Sequence, residues 1–404
     1  MSSQKPWSNL QVGKSGHGAG FWMYLYNRPD PGFFTLQLMK RIPLPFILLI
    51  LIAGLGCKDK KMTFFPTNHP LLIWQGRTYA DNSGSMYLTG SASSLSFRFY
   101  GSKCRVWLQN NAPGQEYNYI SLTIDGVHQE RIPIRFNTFT AIDVVPSQRK
   151  DFHDVSLYKE TEPVNGSIII SAVEADSLGA FPTSTKKKIE FIGNSITVGM
   201  SSDESLVKCD AGNWYDQHNA YNAYGPRVAR ALDMDYMING FSGIGMYRST
   251  RDEYPVIKDV YESAFFGPDP TSPRWDFKKF IPDYVSICLG TNDFSDGGGM
   301  TPRAPFDPEK FITAYVDFLK IVRGHYPGAH IIITNTPMLP PELNEILTPC
   351  LEEIKSKAGA EGIKPISIFS FSKMYSGGCG GHPSVEEQGM MAEEFVLFLK
   401  GIVK

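Results

Sequence analysis

The 404-residue sequence is poor in three things. No Cys-x-x-Cys spacing occurs among its six cysteines, so a thiolate zinc site is not expected. Charge of neither sign dominates: 39 Lys and Arg stand against 41 Asp and Glu, a formal net of −2. That balance excludes the basic footprint of a nucleic-acid binder. Long apolar runs are also lacking, because the longest, Ile42 to Gly56, is too short to span a membrane comfortably.

What is present points to a globular chain. The length suffices for two domains, each with its own core. Aromatic residues make up 13%, and Gly (37) and Pro (28) are plentiful, which favours loop-rich, β-containing structure over a helical bundle. Near the N-terminus, Lys40 and Arg41 precede the apolar run, and Ala53-Gly54-Leu55-Gly56-Cys57 follows. A basic segment, an apolar segment and small residues make an export signal. The stretch resembles a bacterial lipoprotein signal, with Cys57 as the lipidated residue, although Gly54 replaces the usual aliphatic residue. Plain secretion and an uncleaved anchor are the alternatives. Met39 is where such a signal would begin. Residues 1–38 then read as an over-extended, unstructured start, 39–57 as the signal and 58–68 as a tether. The product is expected outside the cytoplasm, as a lipoprotein in the periplasm or on the cell surface, or secreted.

The remaining cysteines are Cys104, Cys209, Cys288, Cys350 and Cys379. With Cys57 lipidated, at least one of the five is unpaired. Export permits disulfides. Either Cys350 pairs with Cys379, both lying toward the C-terminus, or all five are small buried hydrophobes.

From 69 to 181 the sequence reads as short strands and turns. Ser94–Phe99 and Cys104–Gln109 alternate with period two, and Asp125-Gly126 after Tyr119–Ile124 signals a hairpin. A β-sandwich of jelly-roll kind is expected. Past Lys186 the texture changes. Strands at 189–193, 236–238, 284–289 and 330–334 alternate with helices at 220–232, 308–326 and 385–403. That alternation, over 186–404, predicts a parallel, doubly wound sheet. Ligands in such sheets bind beyond the carboxyl ends of the strands.

Four short blocks fall in that second region: Gly193-Asn194-Ser195-Ile196-Thr197, Ser242-Gly243-Ile244-Gly245, Gly290-Thr291-Asn292-Asp293 and Gly381-His382-Pro383. A lone serine at a strand end is commonly only a helix cap. Here a nucleophile has partners. A serine needs a base to take its proton, and of eight histidines His382 stands out in a Gly-rich loop ahead of the last helix. The side-chain amide of Asn292 and the backbone N–H of Gly243 are suited to a developing oxyanion. The flanks of Ser195 do not form the Gly-x-Ser-x-Gly elbow of α/β-hydrolases.

These blocks, in this order, resemble those of the SGNH (GDSL-type) hydrolases. The preceding sandwich, with Asn222-Ala223-Tyr224-Gly225, Trp275-Asp276-Phe277 and Gly290-Thr291-Asn292-Asp293-Phe294, is similar to the second family of carbohydrate esterases, jelly-roll plus SGNH deacetylases of plant polysaccharides. The resemblance implies Ser195 as nucleophile and His382 as base. It implies an oxyanion hole of the Ser195 N–H, the Gly243 N–H and the Asn292 side chain. Acetylated polysaccharide or oligosaccharide is the expected partner, with neither metal nor organic cofactor. The chain is expected to be a monomer that meets a membrane only through its lipid.

Two departures stand out. Asn194 replaces the usual Asp before the serine. Cys379 occupies the position, three residues before the histidine, where these enzymes commonly carry Asp. Glu387 is nearby, but Ser384-Val385-Glu386-Glu387 reads as a capping box. A Ser–His dyad is therefore expected, with a backbone carbonyl orienting His382. Trp214, Tyr247 and Trp275 are candidate stacking residues for sugar. Two rivals remain open: an SGNH esterase or lipase for other acyl esters, and a carbohydrate-binding lipoprotein with a vestigial site.

Overall fold

The computed structural model describes residues 61–182, 186–297 and 303–403. The start segment, the signal and Cys57 lie outside them.

Eleven antiparallel strands build the first region: β1 (Thr63–Pro66), β2 (Ile73–Gln75), β3 (Thr78–Ala80), β4 (Met86–Leu88), β5 (Ser94–Asn111), β6 (Tyr117–Ile124), β7 (Val127–His128), β8 (Ile132–Arg135), β9 (Phe139–Asp143), β10 (Phe152–Lys159) and β11 (Ser167–Gly179). The long β5 carries both expected alternating segments, because it pairs with β10 along its first part and with β9 and β11 further on. Its inward residues Leu95, Phe97, Phe99, Val106 and Leu108 meet Ile120, Leu122, Val155 and Leu157 in one core. Asp125 (φ +53) and Gly126 (φ +82) form the predicted tight turn between β6 and β7, with the primed geometry that matches strand twist. The tether reading over 58–68 needs amending. Thr63–Pro66 pairs with Ala172–Ala175 of β11, a strand too short for its period to be read.

The second region holds five parallel strands, β12 (Lys188–Gly193), β13 (Asp235–Gly240), β14 (Tyr284–Cys288), β15 (His330–Thr334) and β16 (Ile366–Phe369), in the order β13-β12-β14-β15-β16. The helices are α1 (Ser195–Val198), α2 (Tyr224–Ala231), α3 (Ile257–Val260), α4 (Pro308–His325), α5 (Pro341–Ala360) and α6 (Val385–Ile402). Apolar residues of α4 and α5 cover one face of the sheet, and those of α2 and α6 cover the other. α4 begins at its Asp307 cap with Pro308 in the first turn and buries the expected Phe311, Tyr315, Phe318, Leu319 and Val322. α5 escaped the sequence reading, since Pro340, Pro341 and Pro349 punctuate it, yet Leu347, Leu351, Ile354 and Ala358 make a buried stripe. Among the described residues, no helix is long and apolar enough to cross a membrane.

Strand order places the site. The chain leaves β12 for β13 on one side, then returns to β14 on the other. The crevice between the carboxyl ends of β12 and β14 is therefore the switch point at which such sheets bind ligands. Ser195 follows β12 and Asn292 follows β14.

Candidate active site

The strand β12 ends at Gly193, where a Cβ would lie 2.1 Å from the Thr197 hydroxyl, so the chain can turn into α1 only with glycine there. Asn194 caps the helix, its side-chain oxygen accepting the Ile196 N–H at 3.2 Å. Asparagine thus does what the usual aspartate would do toward the backbone. Ser195 is the first residue of α1, and its N–H has no acceptor within the helix.

Ser195 lines a cavity of about 970 Å³ together with Gly243, Asn292 and His382. Gly243 stands at φ +84, a left-handed conformation that turns its loop back on itself. The Asn292 amide is held at both ends. Its Oδ1 accepts from the Thr250 hydroxyl at 2.8 Å and its Nδ2 donates to the Ile244 carbonyl at 2.7 Å. An amide nitrogen carries two hydrogens, so one N–H remains for the cavity. Among the described residues, no hydrogen bond joins the Ser195 hydroxyl to the His382 ring. Such contacts commonly tighten only when substrate is bound.

His382 follows Gly380 (φ +58) and Gly381 (φ +73), whose left-handed turn brings the ring back toward Cys379. Its Nδ1 lies 3.3 Å from the Cys379 carbonyl oxygen, which makes Nδ1 the protonated nitrogen and leaves Nε2 with its lone pair free. Burial lowers the His382 pKa below the usual histidine value; the carbonyls of Cys379 and Gly380 oppose the shift without cancelling it. Glu387 does not reach the ring. Its carboxylate accepts from the Ser384 N–H at 3.0 Å and the Gly377 N–H at 2.6 Å, within the expected capping box.

Two acidic residues to which sequence reasoning assigned no role build the frame. Asp293 is buried, and its side chain accepts the N–H groups of Met246, Tyr247 and Arg248. Burial raises its pKa to about 6. Those bonds staple the loop after β14 to the loop after β13 and so keep Asn292 beside Gly243. Glu162 comes from the turn between β10 and β11 and also lines the cavity. One of its oxygens accepts both the Ser242 N–H (2.7 Å) and the Ser242 hydroxyl (2.6 Å). Burial pushes its pKa up, opposed first by the two Ser242 hydrogen bonds and then by the buried Lys159 amine. For Asp293 the readable signal was an acid directly after Asn292 in the Gly290-Thr291-Asn292-Asp293 block. For Glu162 no signal existed, because its partner lies 80 residues away.

The candidate stacking residues separate. Trp214 lines the cavity and is 45% exposed. Tyr247 does not line it; its hydroxyl accepts the Asp307 N–H at 3.0 Å and its ring packs on Phe306. Trp275 is 5% exposed and lies beside the Arg77 guanidinium, 5.3 Å from its ring centre, in the seam between the two regions. The expected Cys350–Cys379 pairing is also corrected. Cys379 is bonded to Cys209, with Cα atoms 5.2 Å apart, while Cys350 is a buried thiol in α5. Cys209 lies in a polar loop with no periodic pattern, and a contact across 170 residues leaves no local trace.

The fold and site define a two-domain protein with a serine, a histidine, a glycine and an asparagine on one cavity at the carboxyl end of a parallel sheet. Residues 191–361 match the GDSL-like Lipase/Acylhydrolase family, and residues 74–184 match the Carbohydrate esterase 2 N-terminal family. The chain thus carries an SGNH-type hydrolase domain behind the N-terminal domain of the second family of carbohydrate esterases. It is similar to Cellulase/esterase CelE of Acetivibrio thermocellus, 28% identical over 344 residues, which are 82% of this chain and 40% of that protein. The chain therefore spans less than half of that relative. It is also similar to an Acetylxylan esterase / glucomannan deacetylase of Cellvibrio japonicus, 26% identical over 70% of this chain and 78% of the relative. Among solved structures, a family two carbohydrate esterase from Clostridium thermocellum in complex with cellohexaose superposes with a TM-score of 0.73. It is 26% identical over 82% of this chain and 99% of that one.

Proposed function

We propose that this chain is a serine carboxylic-ester hydrolase that removes O-acetyl groups from plant-type polysaccharides or oligosaccharides. The observation that carries the reading is the convergence of Ser195, Gly243, Asn292 and His382 on one cavity at the sheet's switch point. His382 Nε2 takes the Ser195 proton as Oγ attacks the acetyl carbonyl carbon. The Ser195 N–H, the Gly243 N–H and the free Asn292 N–H stabilise the tetrahedral oxyanion. His382 returns the proton to the departing sugar oxygen, and water then hydrolyses the acetyl-enzyme with His382 again as base. Trp214, on the cavity rim, is the remaining candidate for stacking on a sugar ring. The export signal before Cys57 makes the protein a lipoprotein or a secreted one, and the Cys209–Cys379 disulfide suits an oxidising compartment.

The test is Ser195→Ala on acetylated xylo-oligosaccharide and on 4-nitrophenyl acetate. Hydrolysis is expected to fall by at least about a thousandfold, and undiminished turnover sinks the proposal. A second reading has its own observation: Val164, Met200, Tyr254, Phe265 and Met338 give the cavity apolar walls. Those walls suit longer acyl chains, and octanoyl esters cleaved faster than acetyl esters would favour that reading.

A further inference from the structure

Cys379 stands where an acid is usual, and the structure uses it twice. Its carbonyl oxygen faces the His382 Nδ1 at 3.3 Å, and its sulfur is bonded to Cys209. The segment around it is Gly377-Gly378-Cys379-Gly380-Gly381. Glycine has the greatest backbone freedom of any residue. The turn is closed by the Gly378 N–H donating to the His382 carbonyl at 2.6 Å, but a loop with four glycines keeps a carbonyl in one place best when something outside the segment also holds it. Within the turn the Cys379 carbonyl accepts the His382 N–H at 3.2 Å, and two attachments from outside it reach the residue. The Cys379 N–H donates to the Ser201 carbonyl at 2.9 Å, and the disulfide ties the side chain to the Cys209 loop.

That loop is rigidly held. The two N–H groups of the Gln217 amide are shared among the carbonyls of Val207, Lys208 and Ala211, at 3.3, 3.0 and 3.1 Å. The buried Arg131, from the sandwich, donates to the Asp216 carbonyl at 2.8 Å and pairs with Asp203 at 3.4 Å. A continuous series of contacts therefore runs from the sandwich through the Cys209 loop and the disulfide to the carbonyl that faces His382.

We propose that the Cys209–Cys379 disulfide is a positioning device for the base, holding the Cys379 carbonyl where it orients His382 in place of a carboxylate. The proposal rests on the Ser195–His382 reading. A carboxylate would attract the imidazolium by charge and tolerate some displacement. A neutral carbonyl supplies chiefly direction, so its position has to be exact to a fraction of an ångström. Cys209 is half-buried, and Cys104, Cys288 and Cys350 are already free thiols, so among the described residues this is the one bond on which a mild reductant acts. With dithiothreitol, the S–S bond breaks as the reagent closes to its own cyclic disulfide, and Cys209 and Cys379 become two thiols.

Cys209→Ser, Ser195→Ala and the double variant Cys209→Ser with Cys379→Asp are assayed beside the wild type on 4-nitrophenyl acetate, with kcat and KM resolved. Cys209→Ser is expected to lower kcat about ten- to a hundredfold and leave KM within about twofold, because orientation of the base acts in the transition state. In the double variant a carboxylate returns to position 379. It is expected to recover most of kcat and to move the acid limb of kcat/KM to higher pH, since the charge stabilises the imidazolium. The wild type reduced with dithiothreitol and then reoxidised should show the same fall and recovery, which covers the case of a variant that fails to fold. A Cys209→Ser or reduced enzyme with wild-type kcat and only a lowered melting temperature overturns the proposal. Ser195→Ala without activity beside a fully active Cys209→Ser overturns the disulfide's role alone. Ser195→Ala with full activity overturns the dyad reading itself.

Discussion

At the scale of single residues, the proposed reaction makes His382 the group that sets the acid side of the activity. A general base works only when neutral. Burial disfavours the imidazolium, and the two neighbouring carbonyls, which favour it, do not compensate. The folded pKa is therefore below the ordinary value of about 6.5. kcat/KM should accordingly hold through neutrality and begin to fall only below pH 6.5. A pH–rate profile on 4-nitrophenyl acetate checks this, and an acid limb above 6.5 contradicts it. The same shift bears on stability. The unfolded chain takes up a proton at His382 more readily than the folded one, so stability contributed here is lost as pH falls below the unfolded value. Much of this was legible beforehand. Ser195, His382 and Asn292 could be picked out because each sits at a strand or helix end in a short polar block. The partner of Nδ1 could be expected only as a carbonyl, and the pairing of Cys379 could not be read at all, because both depend on where distant loops meet.

At the scale of elements, the site consists of loops bound to one another. The Asp293 side chain ties the loop after β14 to the loop after β13. Glu162 ties the latter to the turn after β10. Lys159 fixes that turn, its amine donating to the Thr161 and Glu162 carbonyls at 2.9 and 2.8 Å. Glu162 contributes through Ser242 to Gly243, the next residue, whose N–H is the proposed oxyanion donor. Glu162→Ala leaves the Ser242 N–H without its acceptor, at a cost of about 1–3 kcal/mol. It also releases the loop that aims Gly243. We expect kcat to fall by about a hundredfold, the effect of losing one oxyanion donor, with KM little changed. Glu162→Gln keeps an acceptor oxygen and should lose much less. Steady-state kinetics of the two variants check the ordering, and equal activities for Ala and wild type contradict it. The elements themselves were mostly readable where one period ran undisturbed, as in α4, or where a short apolar run was unbroken, as in β15. They were not where prolines interrupted it, as in α5, or where four residues were too few, as in β1.

At the scale of the molecule, the question is whether the sandwich is an appendage or part of the enzyme. Its boundary with the second region is buried and polar, unlike a hinge. Arg77, wholly buried, leaves the turn between β2 and β3 and donates to the carbonyls of Tyr261 (2.8 Å) and Ser263 (2.7 Å). Its guanidinium lies 4.3 Å from the Phe266 ring centre, with Trp275 on another side. Its charge opposes that of Glu190, a buried carboxylate on β12 whose pKa burial raises and Arg77 lowers. Glu160 adds a second link by accepting the Tyr221 N–H at 2.9 Å. A cation in such a seam is poor as glue but costly to remove, because its truncation leaves two buried carbonyls without their donor and takes the nearby positive charge from Glu190, which is left with its bonds from Asn239 and Tyr261. Arg77→Ala should therefore destabilise the whole chain by about 3–5 kcal/mol. Because the lost contacts belong to both regions, the wild type should unfold in urea as one transition seen alike by tryptophan fluorescence and by loss of esterase activity. Arg77→Ala should shift that single midpoint downward. A wild type that unfolds in two separated steps, or an Arg77→Ala variant with an unchanged midpoint, would make the sandwich an independent module after all.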